Sequence, residues 1–135
     1  MEKISSEKYR EILDGLELKN ILMSNLKASI KHELFSEGLT VSIKDSSSYE
    51  NKEDEVIIRN TYRLTAKNKE RKIALKIEAT YILVFETKEI ITDNFFEVYE
   101  KISLPLNVWP FFRELVNSTT ARMNIPPITL PLLKR

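Results

Sequence analysis

The sequence predicts an α+β domain, an antiparallel sheet of about four strands with one long C-terminal helix packed on it. Three observations carry that expectation. The segments "VIIRNTYRLTA" and "KIALKIEATYILVFE" alternate apolar and polar residues with the period of a half-buried strand, and a short polar stretch joins them as a hairpin would. One helical stripe then follows near the C-terminus, fenced by prolines. The chain has 135 residues, the size of a single domain able to bury about two thirds of its unfolded surface, so residues 1–135 are read as one unit without repeats or linkers.

Taken in order, Ser5 and Ser6 can cap a short helix over 6–14, with Ile4, Tyr9, Ile12 and Leu13 on one stripe and Gly15 placed to end it. Strands are expected within 16–86. From Leu16 onward the even positions Leu16, Leu18, Leu22, Leu26, Ala28 and Ile30 are apolar, as a strand requires. Leu18, Ile21, Leu22 and Leu26 also satisfy a helical spacing, and periodicity alone leaves the segment undecided. After "KHELFSEG" a second alternation, Leu39, Val41 and Ile43, runs into "KDSSSYENKEDE", which has too few apolar groups for a core position and reads as a polar surface loop.

The next two strands are plainer. Val56, Ile58, Tyr62, Leu64 and Ala66 share one face, with Arg59, Thr61, Arg63 and Thr65 on the other. "KNKER" reads as a hairpin connection, and Ile73, Leu75, Ile77, Ala79, Tyr81, Leu83 and Phe85 again share a face. The opposite face begins polar at Lys76 and Glu78 and turns apolar at Ile82 and Val84. A strand apolar on both faces at one end needs cover there from another element, another subunit or a ligand.

Segment 87–103 is hard to place, although Phe95, Phe96 and Tyr99 suggest an amphipathic linker or a short helical turn. The main helix is expected over about 107–123: Asn107 is a strong cap, Pro110 falls in the first turn where its missing N–H costs nothing, and Trp109, Phe112, Leu115, Val116, Thr119 and Met123 line one face. Pro126 and Pro127 forbid continuation, leaving 124–135 as an extended apolar tail.

Composition excludes several function classes. Basic and acidic residues nearly cancel at 21 against 20, so no nucleic-acid partner is indicated. There is no cysteine, which removes disulfides, thiolate metal sites and cysteine nucleophiles and suits a cytoplasmic protein. The N-terminus lacks the apolar core and cleavage site of a signal peptide, and no run of eighteen apolar residues exists for membrane insertion. His32 has no nucleophile and orienting carboxylate arranged around it in sequence and reads as solvated, and "ENKEDE" at 50–55 lacks the ligand alternation and central glycine of a calcium loop. With Gly15 and Gly38 the only glycines, there is no phosphate-cradling loop. The expectation is a protein that is not an enzyme, with no catalytic residue, metal or cofactor.

The ending "WPFFRELVNSTTARMNIPPITLPLL" resembles the SecB family of bacterial protein-export chaperones. The matching residues are Pro110, Phe111, Phe112, Arg113 and Glu114 in the helix, then Ile125, Pro126, Pro127, Ile128 and Leu130 in the exit from it. The family's layout, antiparallel strands and a long hairpin leading into this helix, covers the chain from about residue 16 and favours a strand for 16–30. The resemblance implies an ATP-independent chaperone that holds unfolded polypeptides extended and assembles as a homotetramer, a dimer of dimers with its helices between two sheets. Against that layout, the sequence as given has no C-terminal lid helix or family tail. The resemblance places Lys76 where the family's strand often has a glutamate that contacts the SecA motor, while a two-residue shift brings Glu78 there. Two readings therefore stand beside the general holdase: a SecB-like protein dedicated to one partner, such as an aggregation-prone antitoxin, and a structural or assembly protein without general clients.

Candidate contact residues follow from both lines of reasoning. Phe111 points away from the stripe and is a candidate client contact or second packing layer; Ile82 and Val84, on the doubly apolar strand end, are client candidates too. The resemblance would place Leu34 and Phe35 beside a client groove, although as loop residues they also suit a satellite cluster. Trp109, Phe112, Leu115, Val116 and Thr119 are expected in the helix core or at an oligomer interface. Arg113 and Glu114 read as an ordinary ion pair or a contact to neighbouring backbone.

Overall fold

A computed structural model describes residues 3–36 and 38–132. Helix α1 spans Ser6–Asp14, strand β1 Glu17–Ile30, β2 Thr40–Lys52, β3 Glu55–Lys67 and β4 Ile73–Glu86; helices α2, Asp93–Ile102, and α3, Leu104–Arg122, follow. The four strands form one antiparallel sheet in the order β1-β4-β3-β2. Because β1 and β2 are consecutive in the chain yet lie at opposite edges, residues 31–39 must carry the chain across one end of the sheet. A 3-10 turn at His32–Leu34 begins that crossing.

The undecided segment 16–30 is a strand, and its double periodicity has a structural cause. The β1–β4 register shifts between Leu18 and Asn20 and again between Met23 and Asn25. Each bulge lets two residues of β1 oppose one of β4, which restores the same face to the next apolar residue. Leu18, Ile21, Met23, Leu26 and Ala28 thereby pair with Phe85, Leu83, Tyr81, Ala79 and Ile77, all on the helix-bearing face, while Leu22 pairs with Ile82 on the other.

The polar stretch at 44–55 corrects a sequence expectation, because Lys44–Lys52 continues β2 and pairs with β3 at every position as far as Lys52↔Glu55. Too few apolar groups is the wrong test for an edge strand whose inward positions meet polar groups and aromatics from a helix. Ser47 donates to Glu100 Oε2 at 2.7 Å, Tyr49 donates to the Asp93 carboxylate, and the Tyr49 and Phe96 rings lie 4.8 Å apart. Asn51 brackets Ile91, donating to its carbonyl and accepting from its N–H, both at 3.0 Å. Glu53, at φ 42°, makes the tight turn into β3.

Segment 87–103 is likewise more ordered than its sequence suggests. Thr92 accepts from Phe95 N and starts α2, whose Phe95, Phe96 and Tyr99 are all buried. Phe95 stacks on Tyr9 of α1 at 4.9 Å, and the Tyr9 hydroxyl pairs with Ser103 Oγ at 2.9 Å. The two short helices bury each other's aromatics, so neither stripe is complete when read alone.

Helix α3 begins three residues before the expected 107. Pro105 takes the first-turn position that had been assigned to Pro110. Pro110 sits inside the helix, where residue 106 loses the N–H that would meet its carbonyl. The core lies between this helix layer and the inward face of β3 and β4, where Val56, Ile58, Leu75, Ile77 and Leu83 have no exposed surface. Gly38, at φ 80°, sits in the crossing in a backbone region that side chains resist, and a Cβ there would come within 3.0 Å of the Lys69 side chain.

Candidate polypeptide-binding surfaces

Three surfaces and one occupied track come out of this arrangement. The first is the β1 edge. The helices lie over β3 and β4 and leave β1 uncovered, so Leu18, Met23 and Leu26 stay 38, 45 and 48% exposed, while Leu22, on the opposite face of the same strand, is 47% exposed. Phe111 on α3 is 51% exposed and lies 6.4 Å from the ring of Tyr81, the cross-strand partner of Met23. Apolar side chains from a strand and a helix thus meet along one flank. The opposite edge, β2, carries Lys44, Asp45, Glu50 and Lys52 and is guarded by charge.

The second surface is the sheet face away from the helices. Ile82 and Val84 are half-buried there, with Ile57 paired to Val84 and Leu22 to Ile82. The remainder of that face is polar, a mixture of threonines and charged groups: Arg63 Nε donates to Glu78 Oε1 at 2.7 Å and Asn25 Nδ2 to its Oε2 at 3.2 Å. Lys76 is exposed beside them. The third surface is the crossing, where Leu34 and Phe35 are half-buried. Lys31 N donates to Ala74 O and Asn68 Nδ2 to Leu34 O, at 2.9 and 3.2 Å, which fixes the crossing to the start of β4 and the β3–β4 turn. His32 Nε2 donates to Met123 O at 2.8 Å and ties it to the end of α3.

Of the stripe expected in the helix core or at an interface, Phe112 and Val116 are fully buried within the chain, and Phe112 stacks on Tyr62 of β3 at 4.9 Å. They have no surface left to offer a partner. Trp109, Leu115 and Thr119 are half-buried. Arg113 pairs with backbone, donating from Nε to Leu130 O at 2.6 Å. Residues 124–132 contain no helix or strand, and the segment turns back along the flank of α3 that carries Trp109, Arg113, Asn117 and Thr120. Reasoning from sequence missed the apolar content of the β1 flank, whose signal was the double periodicity itself, and missed this fold-back.

Burial also governs the tyrosines. It pushes the Tyr81 hydroxyl up to about 12, with the Glu114 carboxylate as second cause, and Tyr49 to about 12, helped by its bond to Asp93. Burial raises Tyr62 and Tyr99 as well. A hydroxyl whose folded value exceeds the unfolded value, about 10, contributes stability that is whole below pH 10 and lost as pH rises through the folded value. Tyrosinate absorbance at 295 nm is therefore expected to lag free tyrosine above pH 10, the buried rings ionising together with loss of circular dichroism. Complete ionisation near pH 10 with the fold intact would contradict this.

Neither a family model nor a curated protein sequence matches the chain. Among solved structures, a SecB-like chaperone from Mycobacterium tuberculosis, in complex with a ChAD peptide from the HigA1 antitoxin, superposes with a TM-score of 0.79. The match covers 95% of this chain and 98% of that one at 18% identity. The chain has a SecB-like fold. A protein of unknown function from Streptococcus agalactiae aligns more loosely, at TM-score 0.47 and 9% identity over 87% of this chain and 97% of its own. Within the SecB-like fold, the exposed β1 flank and the fold-back along α3 are properties of this chain's own residues. Among the described residues no helix is long and apolar enough to cross a membrane.

Proposed function

We propose that this protein is an ATP-independent holdase that binds unfolded polypeptide segments in the cytoplasm as a homo-oligomer. The observation that carries the reading is the run of large apolar side chains left uncovered on a sheet edge and a helix, Leu18, Leu22, Met23, Leu26 and Phe111. A monomer rarely leaves such a patch to water, and an edge strand with no charged side chain between Asn20 and Leu26 invites another strand. The β1 edge is read as the meeting line of two copies, the first step towards a dimer of dimers. Phe111, the crossing residues Leu34 and Phe35, and the outer-face pair Ile82 and Val84 are proposed as client contacts, holding apolar segments by area rather than by sequence.

The antitoxin peptide bound by the M. tuberculosis chaperone favours a second reading, a dedicated partner of that chemistry. Handover to SecA is given no part: Glu78, one of the two positions considered for such a contact, is engaged by Arg63 and Asn25, and Lys76 at the other reverses the charge. The deciding experiment measures aggregation of two unrelated denatured proteins with stoichiometric amounts of this one, without nucleotide, alongside its mass by light scattering. Suppression of both by an oligomer is the expected result. A well-folded oligomer that suppresses neither removes the general holdase and leaves the dedicated partner, to be sought by pull-down.

A further inference from the structure

We propose that the flank of α3 bearing Trp109, Arg113, Asn117 and Thr120 is a binding track for an extended apolar polypeptide segment, and that the chain's own residues 128–131 occupy it until a client segment displaces them. The inference rests on the holdase reading and adds a specific site and a resident competitor to it.

The contacts are those of peptide recognition. Trp109 Nε1 donates to Pro131 O at 2.9 Å, Arg113 Nε to Leu130 O at 2.6 Å, and Asn117 Nδ2 to Thr129 Oγ1 at 3.1 Å, while Thr120 Oγ1 accepts from Ile128 N at 2.9 Å. The order is antiparallel, with one helix residue per turn meeting successive residues of the tail. Eleven residues of helix rise about 16 Å and three extended residues span about 10 Å, so the longer reach of Trp109 and Arg113 closes the difference.

Three of the four bonds go to main-chain atoms, which every polypeptide offers. The track asks for side-chain chemistry mainly at Leu130, which is buried in the cluster that holds Tyr62, Phe112 and Val116, with Trp109 and Ile128 packed against it. Two of the three donors of the track, Trp109 and Arg113, point at carbonyls, and this suits a segment whose Pro131 lacks an N–H group and pairs poorly in a sheet.

The occupant is also held so that it can leave. Asn124, at φ 60°, and the two prolines after it turn the chain back within a few residues, and Pro131 and Leu132 at the far end are exposed. No strand or helix of residues 124–132 has to melt for it to go. A tethered segment presents itself at an effective concentration on the order of millimolar, so a client must outcompete it, and strong apolar segments are selected over weak ones.

The chain contains no cysteine, which permits a clean lock. In the full chain carrying Asn117→Cys and Thr129→Cys, a short thiol-cleavable bis-maleimide would fix the tail to the helix. The probe is a fluorescein-labelled peptide with the sequence of residues 124–132. The locked protein is expected to bind it about tenfold or more weakly than the same protein after cleavage, with circular dichroism unchanged between the two. Leu130→Ser, which loosens the tail and leaves the track whole, is expected to bind the peptide more tightly than the unaltered chain and to shift the emission of Trp109, the only tryptophan, to the red.

Equal affinity in the locked and cleaved states would overturn the proposal. Aggregation suppression, run on both states, separates this from the holdase reading: suppression that survives locking keeps the holdase but moves its client site away from this flank of α3 and defeats the inference. Lock-dependent peptide binding by a protein that suppresses nothing in either state upholds the track and sinks the general holdase.

Discussion

Phe112→Ala is expected to lower the free energy of unfolding by about 3–5 kcal/mol, the usual cost of truncating a fully buried aromatic. Phe112 has no exposed surface and stacks on Tyr62 while Trp109 packs at its edge, 6.2 Å away. The ring joins α3 to the centre of the sheet, and its removal leaves a cavity walled by a strand that cannot shift without breaking pairs on both sides. A loss of that size is much of the stability of a domain this long. Its neighbour behaves differently. Phe111→Ser removes a half-exposed ring that lies against Tyr81 on the uncovered flank, and melting of the single chain is expected to change little while client binding weakens. Urea unfolding with fluorescence detection, run on both variants, checks the pair; similar midpoints for the two would refute the division of the helix into a core face and a contact face.

The second large effect concerns assembly. Met23→Lys combined with Leu26→Lys puts two ammonium groups on the uncovered side of β1, where they reach water in the free chain but would be buried between two edges. The expected result is a mass by light scattering about half that of the unaltered protein or less, because like charges would face each other across an isologous contact. Stability of the single chain should stay within about 0.5 kcal/mol, since both positions are nearly half-exposed there. The same mass for a well-folded double variant would show that β1 is not the meeting line. A control with Lys44→Ala on the charged β2 edge is expected to leave the mass unchanged.

How much of this was legible in the sequence varied by element, for identifiable reasons. Strands β3 and β4 were plain because they occupy the middle of the sheet, one face under helices, and every second residue except the buried Asn60 is apolar there. Strand β2 was half lost because its far end is braced by Ser47, Tyr49 and Asn51 against Glu100 and Asp93 of α2 and Ile91 just before it, partners at least forty residues away that no local window contains. Strand β1 looked like two periods at once because two bulges shift its phase.

The site divides the same way. Phe111 stood out as the aromatic that leaves the helical stripe, and it is exposed. Phe112 and Val116 shared the stripe, which could not say whether the facing surface was the chain's own sheet or another subunit; burial inside the single chain places them against its own sheet.

What the sequence by itself determined was the class of the fold, the two central strands, the caps of α1, the proline stop after α3, and the motif that carried the SecB resemblance. These are set by local chemistry: the period of a pleat, a hydroxyl at a helix start, a nitrogen without hydrogen. Tertiary structure alone decided that α2 is a helix, that β1 is left uncovered, and that the tail returns along α3 to meet Trp109 and Arg113. Each of those depends on which distant residue comes to lie alongside, and a fold-back made through main-chain carbonyls leaves almost no mark on the identities of the residues that offer them.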